Sequence, residues 1–317
     1  MIERPDADAL MAGELGQWLA GQNDARAAAK ATAAKRQKIG IAAACAVAFI
    51  IILIKPSEIG TALQFGFFVG AAGFGWAALA KRPVINAIKG GINGAIARAL
   101  GLEYSAVVVP GPIFERAKAF ALLPGYEDAA CEDQWSGKIG EQPFTLHEAK
   151  LTEERGSGKS RRTVTLFQGQ LLSIAFTRKF IGTTLIERQQ EHRTWWGGAR
   201  DHVEVGGLEM KSVAMVDPRF EDMFSVWSDD GVEARYLVHP EYVERLIAVQ
   251  TAYAGKNIRA LFHGGELLVV IETENQFESG SLEASDDRAL LEQTIGQFAT
   301  LAELATTLNE RPRAGFN

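Results

Sequence analysis

The segment Arg155-Gly-Ser-Gly-Lys-Ser160 has the most suggestive chemical pattern in this sequence, because its last three residues resemble the end of a phosphate-binding loop. Such a loop needs a glycine five positions before the Gly158-Lys159 pair, and Glu153 stands there. It also needs a following helix, whereas residues 162–167 alternate like a strand. The pattern therefore predicts a β-turn with a basic tip, which could contact phospholipid headgroups, nucleic acid or another anionic partner. The basic residues of this turn are Arg155, Lys159, Arg161 and Arg162.

A second candidate is the acidic group formed by Asp229, Asp230 and Glu233. Carboxylates this close in sequence could bind a hard cation or share a proton. Three residues do not complete a coordination shell, however, and no calcium-loop spacing surrounds them. Arg235 is available as an ion-pair partner, so a structural turn is the competing interpretation.

A third candidate is the polar loop Glu187 to Glu204, which carries the adjacent residues Trp195 and Trp196. Exposed indoles favour membrane interfaces or partner pockets. Tryptophans folded back onto a sheet are the alternative, and a zinc site using His192 and His202 is a third.

Recognisable catalytic motifs are absent from the sequence. There is no Gly-x-Ser-x-Gly elbow and no His-Glu-x-x-His pair. The two cysteines, Cys45 and Cys131, can form neither a disulfide framework nor a four-thiol zinc site. We therefore expect no catalytic residue, no metal and no cofactor, and we regard an enzyme as the less favoured class. The net charge of −6 makes a nucleic-acid binder with a broad basic surface unlikely on electrostatic grounds.

Two apolar runs, 39–54 and 59–80, dominate the N-terminal third and are separated by four residues. The second run is about 33 Å long as a helix, enough to span a hydrocarbon core of about 30 Å. The first is about 24 Å long and spans only if Lys38 and Lys55 extend towards the interfaces. The pattern predicts a transmembrane helical hairpin, and two helices buried in a soluble core are the alternative.

Charge predicts the orientation of this hairpin. Basic residues precede the first run and follow the second, whereas Lys55 and Glu58 balance the connecting turn. We therefore expect a multi-pass protein of the bacterial inner membrane with both termini cytoplasmic.

Small residues recur every four positions in the second run, at Ala62, Gly66 and Gly70. Such a stripe lets another helix approach closely. The first run is the expected partner, and a homo-oligomer formed through the transmembrane helices is the alternative.

The remaining chain predicts an α+β fold, in which the hairpin precedes a mainly antiparallel cytoplasmic sheet with two or more helices. We divide the sequence into an N-terminal helical segment (1–38), the hairpin (39–80), an amphipathic linker helix and connection (81–113), the α+β domain (114–280), and a C-terminal helix and tail (281–317). Residues 234–237 are among the predicted strands, and Pro240 to Ala254 is a predicted helix. The isoleucine stripe of the linker helix suits either the lipid interface or packing on the cytoplasmic domain.

Several blocks resemble a family of bacterial membrane-anchored proteins that share a cytoplasmic domain of unknown function and are often discussed alongside LemA-type proteins. The first blocks are Leu123-Pro-Gly-Tyr126, Glu132-Asp133, Gly137-Lys-Ile-Gly140, Phe144, Glu148, Glu154-Arg-Gly-Ser-Gly-Lys159 and Phe167-Gln-Gly169. The second are Asp217-Pro, Phe224-Ser-Val-Trp-Ser-Asp-Asp230, Glu233-Ala-Arg-Tyr-Leu237 and Pro240. The resemblance implies membrane anchoring and a fold, but no catalytic residues. Residues 189–205 look like an inserted loop, so the resemblance implies nothing about that segment.

Together these features favour a membrane-tethered interaction or scaffold module whose partners are the lipid bilayer and a protein or lipid headgroups. The alternative is a membrane-bound, metal-dependent hydrolase that uses Asp229, Asp230 and Glu233.

Overall fold

The computed structural model describes residues 4–139, 142–175, 180–188, 201–215 and 218–310 of the chain. The chain forms two compact units. The helical unit consists of Asp6–Ala95 and Glu278–Glu292. The sheet unit consists mainly of Ile96–Phe277 and the chain from Gln293 onward.

The N-terminal part of the chain is helical throughout. Its helices are α1 (Ala7–Ala12), α2 (Glu14–Gly21), α3 (Asn23–Ile54), α4 (Ile59–Leu79) and α5 (Arg82–Ala99). The alanine-rich segment before the first apolar run continues into it without a break, because alanine has the highest helix propensity.

Helices α3 and α4 form an antiparallel hairpin closed by the turn at Lys55–Glu58, where the Glu58 N–H donates to the Lys55 carbonyl at 3.0 Å. Their backbones approach closely at Gly40 and Gly73. A Cβ added to Gly40 would lie 2.7 Å from the Gly73 Cα, and one added to Gly73 would lie 2.6 Å from the Gly40 Cα. Only glycine therefore fits at this crossing.

Helix α5 packs on α2 through a similar close approach, because a Cβ on Gly91 would lie 2.2 Å from the Trp18 ring. Its predicted isoleucine stripe is fully buried at Ile88, Ile92 and Ile96. The stripe is thus covered by the folded chain and is not exposed for a lipid interface.

Residues 278–288 join the helical unit through polar contacts. Arg26 of α3 donates from Nη2 to both carboxylate oxygens of Asp287, at 2.6 and 2.8 Å, and both side chains are buried. On α5, Lys89 pairs with Glu278 at 2.6 Å. Helix α3 is thereby tied to the start of the last helix, and α5 to the segment that precedes it.

The sheet unit contains one antiparallel sheet in which the ten described strands follow the order β1-β2-β3-β4-β10-β9-β5-β8-β7-β6. The strands are β1 (Glu103–Val108), β2 (Asp128–Ile139), β3 (Gln142–Arg155), β4 (Arg162–Ala175), β5 (Thr184–Arg188), β6 (His202–Val205), β7 (Leu208–Ser212), β8 (Phe224–Ser228), β9 (Lys256–His263) and β10 (Glu266–Glu272). The helices that accompany them are α6 (Pro112–Ala119), α7 (Pro218–Glu221), α8 (Gly231–Leu237), α9 (Pro240–Ala252) and α10 (Asp287–Glu310). The predicted α+β class with a mainly antiparallel sheet is confirmed.

Both faces of the sheet are apolar, because successive side chains of a strand point to opposite faces. On one face, Phe114 and Phe120 from the α6 segment join a core cluster that includes Leu151. On the other face, the Trp135 ring lies 4.3 Å from that of Phe298 in α10. A helix thus covers apolar surface on each side, which is the arrangement that buries both faces of such a sheet.

The structure corrects one predicted element and adds others. Residues 234–237, predicted as a strand, belong to helix α8, because Asp230 caps a helix start by accepting from the N–H groups of Val232 and Glu233. Strands β1 and β2 are additions, because their sequences show no clear alternation of apolar and polar residues. β1 is an edge strand with mostly exposed side chains, and the ladder of β2 shifts register between Glu132 and Trp135.

Candidate functional site

The apolar side chains of α3 and α4 point away from the protein. Phe49, Ile54 and Phe67 are 61%, 73% and 72% exposed, whereas small residues fill the contact between the two helices. In a water-soluble helix pair the large apolar residues would face inward. Both helices are long and apolar enough to cross a membrane, by length and composition. Further exposed apolar residues of this surface are Ile39, Ile41, Ile50, Leu53, Ile59, Leu63, Phe65, Phe68, Phe74, Trp76 and Leu79.

The predicted small-residue stripe faces α3 of the same chain. A Cβ on Gly66 would lie 3.3 Å from the Ala44 carbonyl oxygen and 3.3 Å from the Ala48 Cβ. A Cβ on Gly70 would lie 3.7 Å from the Ala44 Cβ. The stripe is therefore occupied within the chain.

Arg36 and Trp76 lie at the end of the hairpin opposite its connecting turn, where the apolar run of α3 begins and α4 ends. The Arg36 guanidinium lies 4.9 Å from the centre of the Trp76 ring, a cation–π contact, and its Nη1 donates to the Trp76 carbonyl at 3.1 Å. The Ala80 N–H instead donates to Ala77 and Ala78, so Arg36 covers a carbonyl at the end of α4. Tryptophan and arginine are typical of the boundary between a membrane and water.

Beside this pair lies an open cavity of about 400 Å³ between the two helices, which we call the basic groove. Its sides are lined by Lys30, Ala34 and Gln37 from α3, and by Phe74, Ala78 and Lys81 from α4 and the turn after it. The buried residues Ala33 and Ala77 form its floor. The groove thus combines a basic end with an apolar end.

The two lysines of the groove differ from the buried basic residues nearby. The Nζ of Lys30 lies 2.7 Å from a Glu283 carboxylate oxygen, but both side chains are largely exposed, at 42% and 62%. Such a pair contributes at most about 1 kcal/mol. Lys81 is exposed, and no described residue forms an ion pair with it. Arg26 and Lys89 are instead buried against carboxylates. Of these four basic residues, the two groove lysines are therefore the ones readily available to an external anion.

The acidic group serves the fold in the described structure. Asp229 accepts from the Thr183 N–H at 2.6 Å, and Glu233 accepts from the Ile181 and Gly182 N–H groups at 3.1 and 2.6 Å. Together with the Asp230 cap, each carboxylate thus accepts hydrogen bonds from backbone N–H groups. The expected ion-pair partner Arg235 instead donates to the carbonyls of Ala214 and Gly231. Within the described residues no three His, Cys, Asp or Glu side chains are grouped to hold a metal.

The basic turn joins β3 to β4, with a short 3₁₀ helix at Gly158–Ser160 and no α-helix after it. Arg155 forms an ion pair with Glu153, and Arg161 forms one with Glu154. Arg162 opens β4 and is exposed. The Lys159 side chain, like Trp195 and Trp196, lies outside the described part of the structure.

The structure reveals a buried carboxyl group to which the sequence assigned no role. Glu148 of β3 is 1% exposed, and its Oε2 accepts from Gln170 Nε2 at 2.9 Å and from the Gln276 N–H at 3.1 Å. Desolvation raises the pKa of Glu148 to about 7, against the lowering effect of these two hydrogen bonds, and the charges of Glu132 and Asp133 add to the rise.

Asp133 lies in the irregular part of β2 beside this group. Its φ of 54° is left-handed, its side chain is buried, and its Oδ1 accepts from the Tyr104 hydroxyl at 2.5 Å. Glu132 lies directly opposite Glu148 in the β2–β3 ladder, and the register shift of β2 follows it. The arrangement can hold one proton near neutral pH inside the sheet unit. In the sequence, the only indication was that Glu132, Asp133 and Glu148 belong to the blocks of the family resemblance.

Comparison with known proteins supports the expectation of a domain of unknown function. Residues 165–310 match the family described as "Protein of unknown function (DUF3137)". The match begins within β4 and supports a domain of unknown function there. It does not bear on the motif blocks before it or on an association with LemA-type proteins.

Among solved structures, the chain is similar to the crystal structure of the mycobacterial trehalose monomycolate transport factor A, TtfA. The TM-score is 0.36, with 10% sequence identity, over 71% of this chain and 98% of that chain. A likeness at this level supports no conclusion about function. No curated protein matches the chain.

Proposed function

We propose that this chain is a membrane-tethered interaction or scaffold module of the bacterial inner membrane. In this proposal α3 and α4 cross the bilayer as a hairpin, and the chain on both sides of the hairpin is cytoplasmic. The sheet unit would engage a protein partner or lipid headgroups there.

The outward-facing apolar surface of α3 and α4 is the observation that carries the proposal. Residues such as Phe67 and Ile54 would expose a large apolar area to water. Exposing this area to water is unfavourable in free energy. A hydrocarbon environment removes that penalty, because lipid tails solvate these side chains as well as a protein core does. Within the helices the backbone groups are hydrogen-bonded, as a spanning segment requires.

The small-residue stripe supports an intrachain hairpin. Gly66 and Gly70 already face Ala44 and Ala48 of α3, so a homo-oligomer formed through that stripe is no part of the proposal. The hydrolase alternative has little support, because in the described residues Asp229, Asp230 and Glu233 accept backbone N–H groups and do not converge on an open site.

Reporter fusions and alkaline extraction test the proposal together. Reporters placed after Lys38 and after Arg82 are both expected to behave as cytoplasmic, and a reporter placed at Ser57 as periplasmic, because the basic residues flank only the outer ends of the hairpin. The chain should remain in the membrane pellet after alkaline carbonate treatment. A periplasmic signal after Lys38 or Arg82 would reverse the topology, and release by carbonate would defeat the membrane-spanning proposal itself.

A further inference from the structure

The basic groove has the composition of a site for an amphipathic anion. Lys30, Ala34 and Gln37 recur at i, i+4 and i+7 on α3, so they share one face of that helix. Phe74, Ala78 and Lys81 repeat the same spacing across the groove. Each wall therefore runs from a lysine at one end to an apolar or amide side chain at the other.

The position of the groove along the hairpin matches the headgroup layer. Gln37 and Ala34 lie about 3 and 7.5 Å beyond Ile39, where the apolar run begins. The polar layer of one leaflet is roughly 5–7 Å thick. Lys81 directly follows the second apolar run, and Lys30 lies about 13.5 Å beyond Ile39, from where its long stem can carry the ammonium group towards this layer.

We propose that the groove binds the phosphate of an anionic phospholipid, with Lys30 and Lys81 contacting the phosphate. This inference rests on the proposed membrane hairpin and names a ligand for it. The acyl chain of the lipid would pass along Phe74, which is 53% exposed at the apolar end. A free phosphate would use only the basic end, so the combination of both ends selects the lipid.

Neighbouring charges agree with this assignment. Arg36 is held over Trp76 and covers a carbonyl of α4 that would otherwise repel an anion. Glu283 is the one carboxylate paired with a groove lysine in the described structure, and its pair with Lys30 is solvent-exposed. A phosphate can therefore replace Glu283 at Lys30 with little loss.

Native mass spectrometry of the full chain in detergent, titrated with phosphatidylglycerol or phosphatidylcholine, tests this proposal. We expect Lys81→Gln to weaken phosphatidylglycerol binding roughly fivefold, and Lys30→Gln combined with Lys81→Gln about 25-fold, since each lysine near a lipid headgroup contributes about that factor. Lys55→Gln is the matched control, because Lys55 is also an exposed lysine but lies at the opposite end of the hairpin, outside the groove. It should change binding less than twofold.

A second variant separates the groove from a general charge effect. Ala78→Leu keeps both lysines but fills the groove, and it should also weaken phosphatidylglycerol binding several-fold. Unchanged binding in the lysine variants, equal binding of phosphatidylcholine, or equal displacement by inorganic phosphate would overturn the lipid assignment. A dimer in which Lys81→Gln shifts the monomer–dimer ratio would assign the groove to a second copy instead.

Carbonate extraction of the same variants distinguishes this inference from the proposed function. The variants should stay in the membrane pellet while losing lipid affinity. Release of the unmodified chain would refute the membrane-spanning hairpin, whereas retention together with unchanged lipid affinity in the variants would refute only the groove.

Discussion

The raised pKa of Glu148 predicts how the stability of the fold changes with pH. This pKa is about 7 in the folded protein, against an ordinary value of 4.5. The folded state therefore binds the proton more tightly than the unfolded state does. The resulting stabilisation is fully present below pH 4.5 and is lost as the pH rises to about 7. Replacing Glu148 by Gln removes this loss while retaining a side-chain oxygen that can accept from Gln170 and the Gln276 N–H.

The size of the effect follows from the two pKa values. A full shift of 2.5 units corresponds to about 3.4 kcal/mol, and about 2.5 kcal/mol of it falls between pH 5 and pH 8. The stability of Glu148→Gln relative to the unmodified protein should therefore rise by about 2.5 kcal/mol over that interval. The charge of Glu132 contributes to the raised pKa of Glu148. Glu132→Gln should therefore lower the folded-state pKa of Glu148 and reduce the pH dependence of stability that Glu148 causes.

The comparison must be between variants, because His147 opposes Glu148. Burial lowers the pKa of His147 to about 4, so its contribution to stability is present above pH 6.5 and lost as the pH falls towards 4. In the unmodified protein, the pH-dependent contributions of Glu148 and His147 to stability largely cancel between pH 4.5 and 6.5. Subtracting the unmodified curve from the Glu148→Gln curve leaves the Glu148 contribution alone.

Urea unfolding of the full chain in detergent micelles, followed by tryptophan fluorescence at each pH, measures this difference. Tryptophans of the sheet unit, such as Trp135, report on its unfolding. A difference that stays constant within about 0.5 kcal/mol from pH 5 to pH 8 would show that Glu148 is not perturbed by burial. A difference of opposite slope would show that its hydrogen bonds outweigh desolvation.

Two further perturbations address the helical unit. Asp287→Asn leaves the buried Arg26 charge uncompensated and should destabilise by roughly 3–5 kcal/mol, whereas Glu283→Gln breaks an exposed pair and should cost less than about 1 kcal/mol; both are read from thermal melts in detergent. Equal costs would contradict the assigned burial. Gly73→Leu should separate α3 from α4, reducing cross-linking between cysteines placed on the two helices, while Gly60→Leu, which has open space around it, should not. Efficient cross-linking in Gly73→Leu would refute the close crossing.

Several elements could be predicted because their signals are local. The apolar runs that become α3 and α4 are continuous in sequence, so a helix of the right length and its tendency to avoid water follow from composition alone. The β3–β4 and β9–β10 hairpins are also local, since each connects adjacent alternating segments through a short turn. The segment after the basic turn alternates like a strand, and β4 does begin there at Arg162, where a phosphate loop would need a helix.

Other features depended on contacts between distant segments. Asp230 caps α8, and Glu233 anchors residues 181–182, about fifty positions earlier, so a group that suggested metal chemistry serves the backbone. Sequence spacing cannot show this, because carboxylates accept from N–H groups and bind cations with the same oxygens.

The two candidate sites were decided by tertiary structure for the same reason. The basic groove exists only because the antiparallel hairpin brings Lys30 beside Lys81, fifty-one positions apart; in the sequence these residues are merely flanking positive charges. The raised pKa of Glu148 requires burial between β2, β4 and the segment at Gln276, together with the nearby charges of Glu132 and Asp133. Hydropathy and charge are properties of each residue and can be read along the chain, whereas desolvation and the proximity of charges belong to the folded arrangement.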